Sequence, residues 1–381
     1  MAKKLLIVYC SYGSGHRSIA EAIATYFEEY GTNYEIELID ICQYSNFLGK
    51  VSVKLFDFNL KHRTEFAFNF FYELVNNKIG LKHQVGFVKK AFANKNIQQK
   101  LEEFNPDLVI STHFFAGNII DYYNRLGVIN CKIVTVLTDY ALHSFWIKTH
   151  RFYDAYIVAN EIVKNELIEK GIDKKRIYSY GLPIDQKKYL NLQSKEEIIN
   201  KYNLNINFKT YLMFGGGGAG AMYYYEYFKV LAKQKYPINI IFVSGKNQKL
   251  EAKAKAYVQK EKLENVKVLG FVKNVFSLMQ LANYVITKPG AATITECMIM
   301  KTPMIIIPGY GGQEKYNGRF VVSKKFGYKV RGTLFFKRLV KKTINNDNLE
   351  EKFRSNLEKL ESNESTKKIM ALCDKMLKEN K

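Results

Sequence analysis

The chain has 381 residues, 47% of them hydrophobic and 25% charged, which leaves room for two domains of ordinary size and sets it apart from disordered chains. Its formal net charge is +22. Anionic lipid head groups, nucleic acid and compositional drift toward lysine compete to explain that charge, but no zinc-finger, RRM or KH signature accompanies it, so nucleic acid is not an expected partner.

Five cysteines (Cys10, Cys42, Cys131, Cys297, Cys373) form no CxxC pair and are odd in number, which argues against a disulfide framework or zinc site and fits a reducing cytoplasm. Met1-Ala-Lys-Lys leads straight into an apolar strand too short for a secretory core. No apolar run approaches the roughly 18 residues a spanning helix needs, so membrane contact, if any, is expected to be peripheral.

In chain order, strands are predicted at 4–10, 34–40, 107–112, 132–139 and 155–160. A helix over 18–30 lies between the first two, with Ile19, Ile23, Tyr26 and Phe27 on one face. Segment 47–96 breaks this rhythm by interleaving aromatics and leucines with Lys, Arg and His. It reads either as an interfacial helix pair against anionic lipid or as core helices with a solvated basic face.

Gly181-Leu182-Pro183 closes a first domain, 1–183, and the polar stretch 184–207 reads as a connection. A second domain, 208–334, repeats the pattern with strands at 210–214, 238–244, 266–271, 284–287 and 303–308, and a charged helical segment, 335–381, ends the chain. The alternation implies parallel sheets with crossover helices. Each half opens with a strand running into a Gly-rich turn, so the expectation is two Rossmann-like domains facing across a cleft at the carboxyl ends of their strands.

The first turn, Ser11-Tyr-Gly13-Ser-Gly15-His16-Arg17-Ser18, offers free amides at a helix start. It lacks the Gly-Lys-[Ser/Thr] of a P-loop and only partly imitates a dinucleotide fingerprint, with Asp40 ending the next strand. His16 is left over. Its imidazole can take a proton from an acceptor hydroxyl, or it can merely cap and pack the turn. Two more clusters follow first-half strands: Ser111-Thr112-His113 and Thr138-Asp139-Tyr140-Ala-Leu-His143-Ser-Phe-Trp146. Asp139 reads as base, as orienter of a histidine, or as an N-cap; Trp146 reads as acceptor-site ring or as core.

In the second half, Gly215-Gly-Gly217-Gly218-Ala-Gly220 is too glycine-rich to pack a core well, so it reads as a ligand-approaching loop rather than a flexible turn. Lys288-Pro289-Gly290-Ala291-Ala-Thr293-Ile-Thr-Glu296 places turn amides and a hydroxyl at a helix start, suited to a diphosphate. Glu296, one turn further, can accept from both hydroxyls of a ribose, or can be a solvent-facing helix residue. Gly312-Gln313-Glu314-Lys-Tyr-Asn317 offers amide and carboxylate groups that match the hydroxyls of a sugar, or it is an exposed polar cap. No Asp-x-Asp pair and no His/Cys ligand spacing appears, so no metal cofactor is expected and cationic groups such as Lys288 would meet the leaving charge.

Taken together these motifs resemble glycosyltransferase family 28: the monogalactosyldiacylglycerol synthases and bacterial processive diacylglycerol glucosyltransferases, with the transferase that makes lipid II more distant. GSGHRSIAEAI resembles their GGGH-type turn, TDYALHSFW their T-D-[FY]-x-x-H-x-x-W stretch, YGLPI their G-[IL]-P-I junction, and KPGAATITE and GGQEKYN their donor motifs. The likeness spans roughly 1–330.

It implies a GT-B fold and inverting, metal-independent transfer of a hexose from a UDP-sugar to diacylglycerol; the bacterial-looking composition favours glucose over galactose, and the basic charge favours an anionic membrane surface on the cytoplasmic face. Residue by residue, it implies His16 and Asp139 as catalytic, and Gly15, His113, His143 and Trp146 on the acceptor side. Gly217, Gly218, Lys288, Gly290, Ala291 and Thr293 would lie at the diphosphate, Glu296 at the ribose, and Gln313, Glu314 and Asn317 at the sugar or adjacent phosphate. Ala291 stands where the family has a second glycine, and the loop before Gln313 is longer than the family's. The rival readings are transfer to a polyprenyl-linked or other lipid acceptor, and a non-catalytic nucleotide- or lipid-binding protein.

Overall fold

The computed structural model describes residues 2–11, 14–46, 49, 93–143, 146, 153–216, 221–234, 236–309 and 312–379. Most of segment 47–96, and Gly217 and Gly218, lie outside the described residues.

The chain divides into two compact units. In the first, strands β1 (Lys3–Tyr9), β2 (Tyr34–Asp40), β3 (Leu108–Ser111), β4 (Lys132–Val136), β5 (Ala155–Ile157) and β6 (Ile177–Tyr178) form one parallel sheet in the order β2-β1-β3-β4-β5-β6. Successive residues Leu5, Leu6, Ile7 and Val8 are all fully buried, so both faces of β1 are covered, as a parallel sheet between helix layers requires. Helices described in this unit include α1 (Ser14–Tyr30), α2 (Lys95–Phe104), α3 (Phe114–Arg125) and α4 (Glu161–Glu169). Asn94 and Asn160 cap α2 and α4 with their side-chain oxygens.

The short helix α5 (Gln186–Leu190) leads into the second unit. There α6 (Lys195–Tyr202), closed by a Ser194/Glu197 capping box and burying Ile198, lies in the stretch expected to be a connection. Then follow β7 (Lys209–Phe214), α7 (Ala221–Lys233), β8 (Ile238–Val243), α8 (Gln248–Lys260), β9 (Val266–Leu269), α9 (Val275–Leu281), β10 (Tyr284–Thr287), α10 (Ala291–Ile299), β11 (Met304–Ile306), α11 (Gln313–Ser323), β12 (Gly327–Lys329), α12 (Thr333–Ile344) and α13 (Asp347–Glu358). The second sheet is also parallel, in the order β12-β11-β10-β7-β8-β9.

The segment 335–381 is not one piece. Helices α12 and α13 stay with the second unit, while α14 (Ser365–Lys378) returns to the first. Its start is tied to the first unit by Ser365 Oγ donating to the Gly181 carbonyl (2.9 Å) and Asn363 Nδ2 to the Leu182 carbonyl (2.9 Å). Further along, the Tyr34 hydroxyl donates to the Asp374 carboxylate (2.6 Å).

Strand order reverses between β1 and β3 in the first unit and between β7 and β10 in the second. Loops leaving neighbouring strands at such a point diverge to opposite faces and open a crevice at the carboxyl edge, where open α/β sheets bind ligands.

Candidate active site

At the first switch point sits His16, in the opening turn of α1 and buried. Its Nδ1 lies 2.7 Å from the Thr112 carbonyl, just past β3, and 3.0 Å from Thr138 Oγ1, past β4. Thr112 Oγ1 donates back to the His16 carbonyl at 3.0 Å. A carbonyl only accepts, so Nδ1 must carry the ring proton and Nε2 the lone pair. Burial lowers His16 to about 4, against the smaller upward pull of the Thr112 carbonyl, so the ring is neutral at pH 7.

The other first-half candidates gather around it. The rings of His16 and His113 meet edge-on, 4.4 Å apart. His113 Nδ1 accepts from the Phe115 amide (3.1 Å) and so caps α3, while its ring stacks on Phe114 at 4.5 Å. Burial pushes His143 down to about 3, with His16 adding to the effect, and its Nε2 stands 3.9 Å from Asp139 Oδ2. Trp146 is 3% exposed and part of the unit's core, against Phe114 and His143. Its indole N–H finds no acceptor among the described residues.

Gly15 has no described atom within 4 Å of where a Cβ would stand, so packing does not account for the missing side chain. Asp40, by contrast, is occupied. It accepts from the Ser11 amide (3.2 Å), the Ser11 hydroxyl and the Cys42 amide (3.0 Å), pinning the turn after β1.

In the second unit the candidates lie at the carboxyl ends of β10 and β11, which are adjacent in the sheet. Gly290 is the N-cap of α10 and Gly312 that of α11, and neither helix start has a side-chain cap. Compared with the capped α6, α8 and α9, the start of α10 leaves amide hydrogens and a positive dipole end for an anion. Ala291, Thr293 and Glu296 follow on α10.

Lys288 Nζ contacts Glu314 Oε1 at 2.5 Å, and Asn317 Nδ2 donates to the Pro289 carbonyl at 3.3 Å, so the two loops are cross-tied. Burial lifts the Glu296 carboxyl to about 7, with Lys188 opposing. Gln313 is half-buried at the start of α11. After β7, a Cβ on Gly215 would stand 2.7 Å from Leu250 Cδ2, and Gly216 has φ +77 with the Tyr224 ring at 2.8 Å. These two glycines therefore serve packing as well, contrary to the expectation that packing could not explain them. A cavity of about 420 Å³ opens beside β9, lined by Tyr202, Glu251, Gly270 and Phe271 among others, and contains none of the candidate residues.

The structure thus groups His16, His113, Asp139, His143 and Trp146 in one unit, and Lys288, Gly290, Ala291, Thr293, Glu296, Gln313, Glu314 and Asn317 along one sheet edge of the other. Sequence reasoning gave no role to Thr112 and Thr138. Their position directly after strands was visible, but not that a backbone carbonyl and a hydroxyl would converge on one ring nitrogen. Among the described residues no three His, Cys, Asp or Glu side chains form a metal cluster.

Two parallel sheets of this topology are those of the GT-B fold. The fold is similar to that of MurG of Acinetobacter baumannii (TM-score 0.66, 14% identity, 98% of this chain and 99% of that one) and to the MnaA–UDP co-structure from S. aureus (TM-score 0.63, 15% identity, 99% and 97%).

Residues 16–184 match the monogalactosyldiacylglycerol (MGDG) synthase family and residues 212–373 the glycosyltransferase family 28 C-terminal domain. The chain thus carries a monogalactosyldiacylglycerol synthase-type first domain and a glycosyltransferase family 28 C-terminal domain. It is 28% identical to the processive diacylglycerol beta-glucosyltransferase of Bacillus subtilis (84% of this chain, 81% of that one). It is 29% identical to the protein of the same name from Staphylococcus aureus strain Newman (85% and 80%).

Proposed function

We propose that the chain transfers glucose from UDP-glucose to the hydroxyl of diacylglycerol, with inversion and without a metal, as a peripheral enzyme on the cytoplasmic face of the membrane. One observation carries the chemical part: His16 is held at the first unit's switch point with Nδ1–H donated to the Thr112 carbonyl, which leaves Nε2 as a positioned proton acceptor.

In the reaction, the diacylglycerol hydroxyl oxygen forms a bond to the anomeric carbon of the sugar. The bond from that carbon to the β-phosphate oxygen breaks, its electron pair leaves on UDP, and the hydroxyl proton passes to His16 Nε2. Attack opposite an α-linked leaving group yields a β-glycoside. Asp139 and His143, a buried pair 3.9 Å apart, would support the base, and Gly15, His113 and Trp146 would border the acceptor.

On the donor side, the start of α10, with Gly290, Ala291, Thr293 and Lys288, would compensate diphosphate charge in place of a cation. Glu296 would accept from the ribose hydroxyls, and Gln313, Glu314 and Asn317 would address the sugar. Glucose is favoured because the similar curated proteins are named glucosyltransferases.

The test is incubation with diacylglycerol-containing vesicles and UDP-glucose or UDP-galactose in parallel, with products identified by mass spectrometry. Monoglucosyl- or oligoglucosyl-diacylglycerol is expected. A hexosylated polyprenyl lipid from mixed extracts, or no lipid product from either donor, would sink the proposal.

A further inference from the structure

Residues 315–346 hold ten Lys and Arg and no Asp or Glu. They cover α11, β12 and α12 of the second unit, so this charge lies on one stretch of folded surface. None of the ten has a carboxylate partner among the described residues. Lys329, half-buried, is held below its ordinary value by burial and then by Arg319, Lys315 and Arg331 around it. Uncompensated cations this close raise the free energy of the isolated surface and favour a polyanionic partner.

Helix α12, Thr-Leu-Phe-Phe-Lys-Arg-Leu-Val-Lys-Lys-Thr-Ile, explains how such a partner would be met. Its inner face buries Phe336, Leu339 and Val340 in the unit's core. Its outer face carries Lys337, Arg338, Lys341 and Lys342, all exposed, and at its amino end Leu334 and Phe335 project outward with exposures of 78% and 49%. The core-facing stripe is already complete without these two, so their exposure is not a by-product of helix register.

We propose that the outer face of α12 docks on an anionic bilayer, with Leu334 and Phe335 entering the head-group boundary and the basic side chains meeting lipid phosphates. A nucleic-acid backbone would satisfy the cations but offers no apolar phase for Leu334 and Phe335, whereas the membrane interface takes both. Placement agrees. β12, which feeds α12, neighbours β11, so the tip of α12 projects from the same sheet edge that carries Gln313 and Glu314. The inference rests on the reading that the acceptor is a bilayer lipid, and it adds a second-unit surface to whatever the first unit contributes.

The test uses the full chain with Leu334→Cys carrying an environment-sensitive thiol dye, which is selective because all five native cysteines are buried. Lys260→Cys on α8 is the control site. Vesicles of equal parts phosphatidylcholine and phosphatidylglycerol, without diacylglycerol or nucleotide, are expected to blue-shift the dye at 334 and not at 260. Replacing Lys337, Arg338, Lys341 and Lys342 by Gln should weaken vesicle binding about tenfold or more, while the same change at Lys249, Lys253, Lys255 and Lys260 should weaken it less than about twofold.

Vesicle binding with an unmoved dye at 334, equal losses in the two quadruple variants, or tighter binding to duplex DNA than to vesicles would each overturn the proposal. Transfer to a short-chain monomeric diacylglycerol should be unchanged in the α12 variant. If no form of the chain transfers sugar while the vesicle results hold, the enzymatic reading fails and the docking surface stands.

Discussion

Gly309→Ala perturbs the donor side through one atom. A Cβ on Gly309 would fall within contact radius of Glu314 Oε2 and 3.0 Å from Pro289 Cδ. The carboxylate, as the far end of a flexible side chain, gives way before the backbone does, so global stability should change by less than about 1 kcal/mol. What changes is aim. The 2.5 Å contact of Lys288 Nζ with Glu314 Oε1 is broken or redirected, and with it any hydrogen bond from Glu314 to the sugar. A hydrogen bond to a charged group is worth about 1.5–3 kcal/mol, so kcat/KM for UDP-glucose should fall roughly 10- to 150-fold.

The assay is initial-rate transfer at varied donor, run as a double-mutant cycle with Glu314→Ala. If Gly309→Ala acts through Glu314, it adds little loss in the Glu314→Ala background. Full additivity of Gly309→Ala and Glu314→Ala would refute the reasoning.

Three further predictions follow from the same geometry. His16→Ala should lower kcat by about two to four orders of magnitude while calorimetry shows UDP affinity kept within a few-fold, because only the base is removed; normal turnover would remove His16 from the mechanism. With Glu296 lifted to about 7 and needed as carboxylate, the affinity for UDP-glucose should fall about tenfold per pH unit below 7. That slope should vanish in Glu296→Gln, and an equal slope in both proteins would contradict the ribose role.

The third concerns acid stability. His16, near 4 when folded and near 6.5 when unfolded, takes a proton more readily in the unfolded chain, so stability is full above pH 6.5 and declines as pH falls toward 4. The His16 share is about 2 kcal/mol between pH 7 and 5. The drop in urea midpoint over that range should be smaller in His16→Asn than in the parent, and equal drops would contradict the burial argument.

Most of the fold was legible because a parallel sheet buries both strand faces and writes itself as unbroken apolar runs such as Leu5–Val8 or 240–243. The strands missed, β6 (Ile177–Tyr178) and β12 (Gly327–Lys329), are two and three residues long at sheet edges, too short for a periodic signal. The return of α14 to the first unit could not be read from composition either, since it depends on partners nearly two hundred positions away, such as Ser365 with Gly181.

Site residues were legible as residue types after strands, which is where the topology places loops. Their roles were not, because a role depends on orientation. Asp40 completed a partial dinucleotide fingerprint and proves to be a turn clamp, and Gly215 and Gly216 resembled a ligand-approaching loop and prove to be packed against Leu250 and Tyr224. That His113 also caps a helix, and that Thr112 fixes the tautomer of His16, are three-dimensional facts with no one-dimensional signature.

The most direct measurement is the proton NMR spectrum of the lipid made from UDP-glucose and diacylglycerol by EDTA-treated protein. A diacylglycerol glucoside with a β-anomeric coupling is the outcome required by in-line attack and a cation-free donor site. An α-anomer, or product that appears only when magnesium is restored, would contradict it.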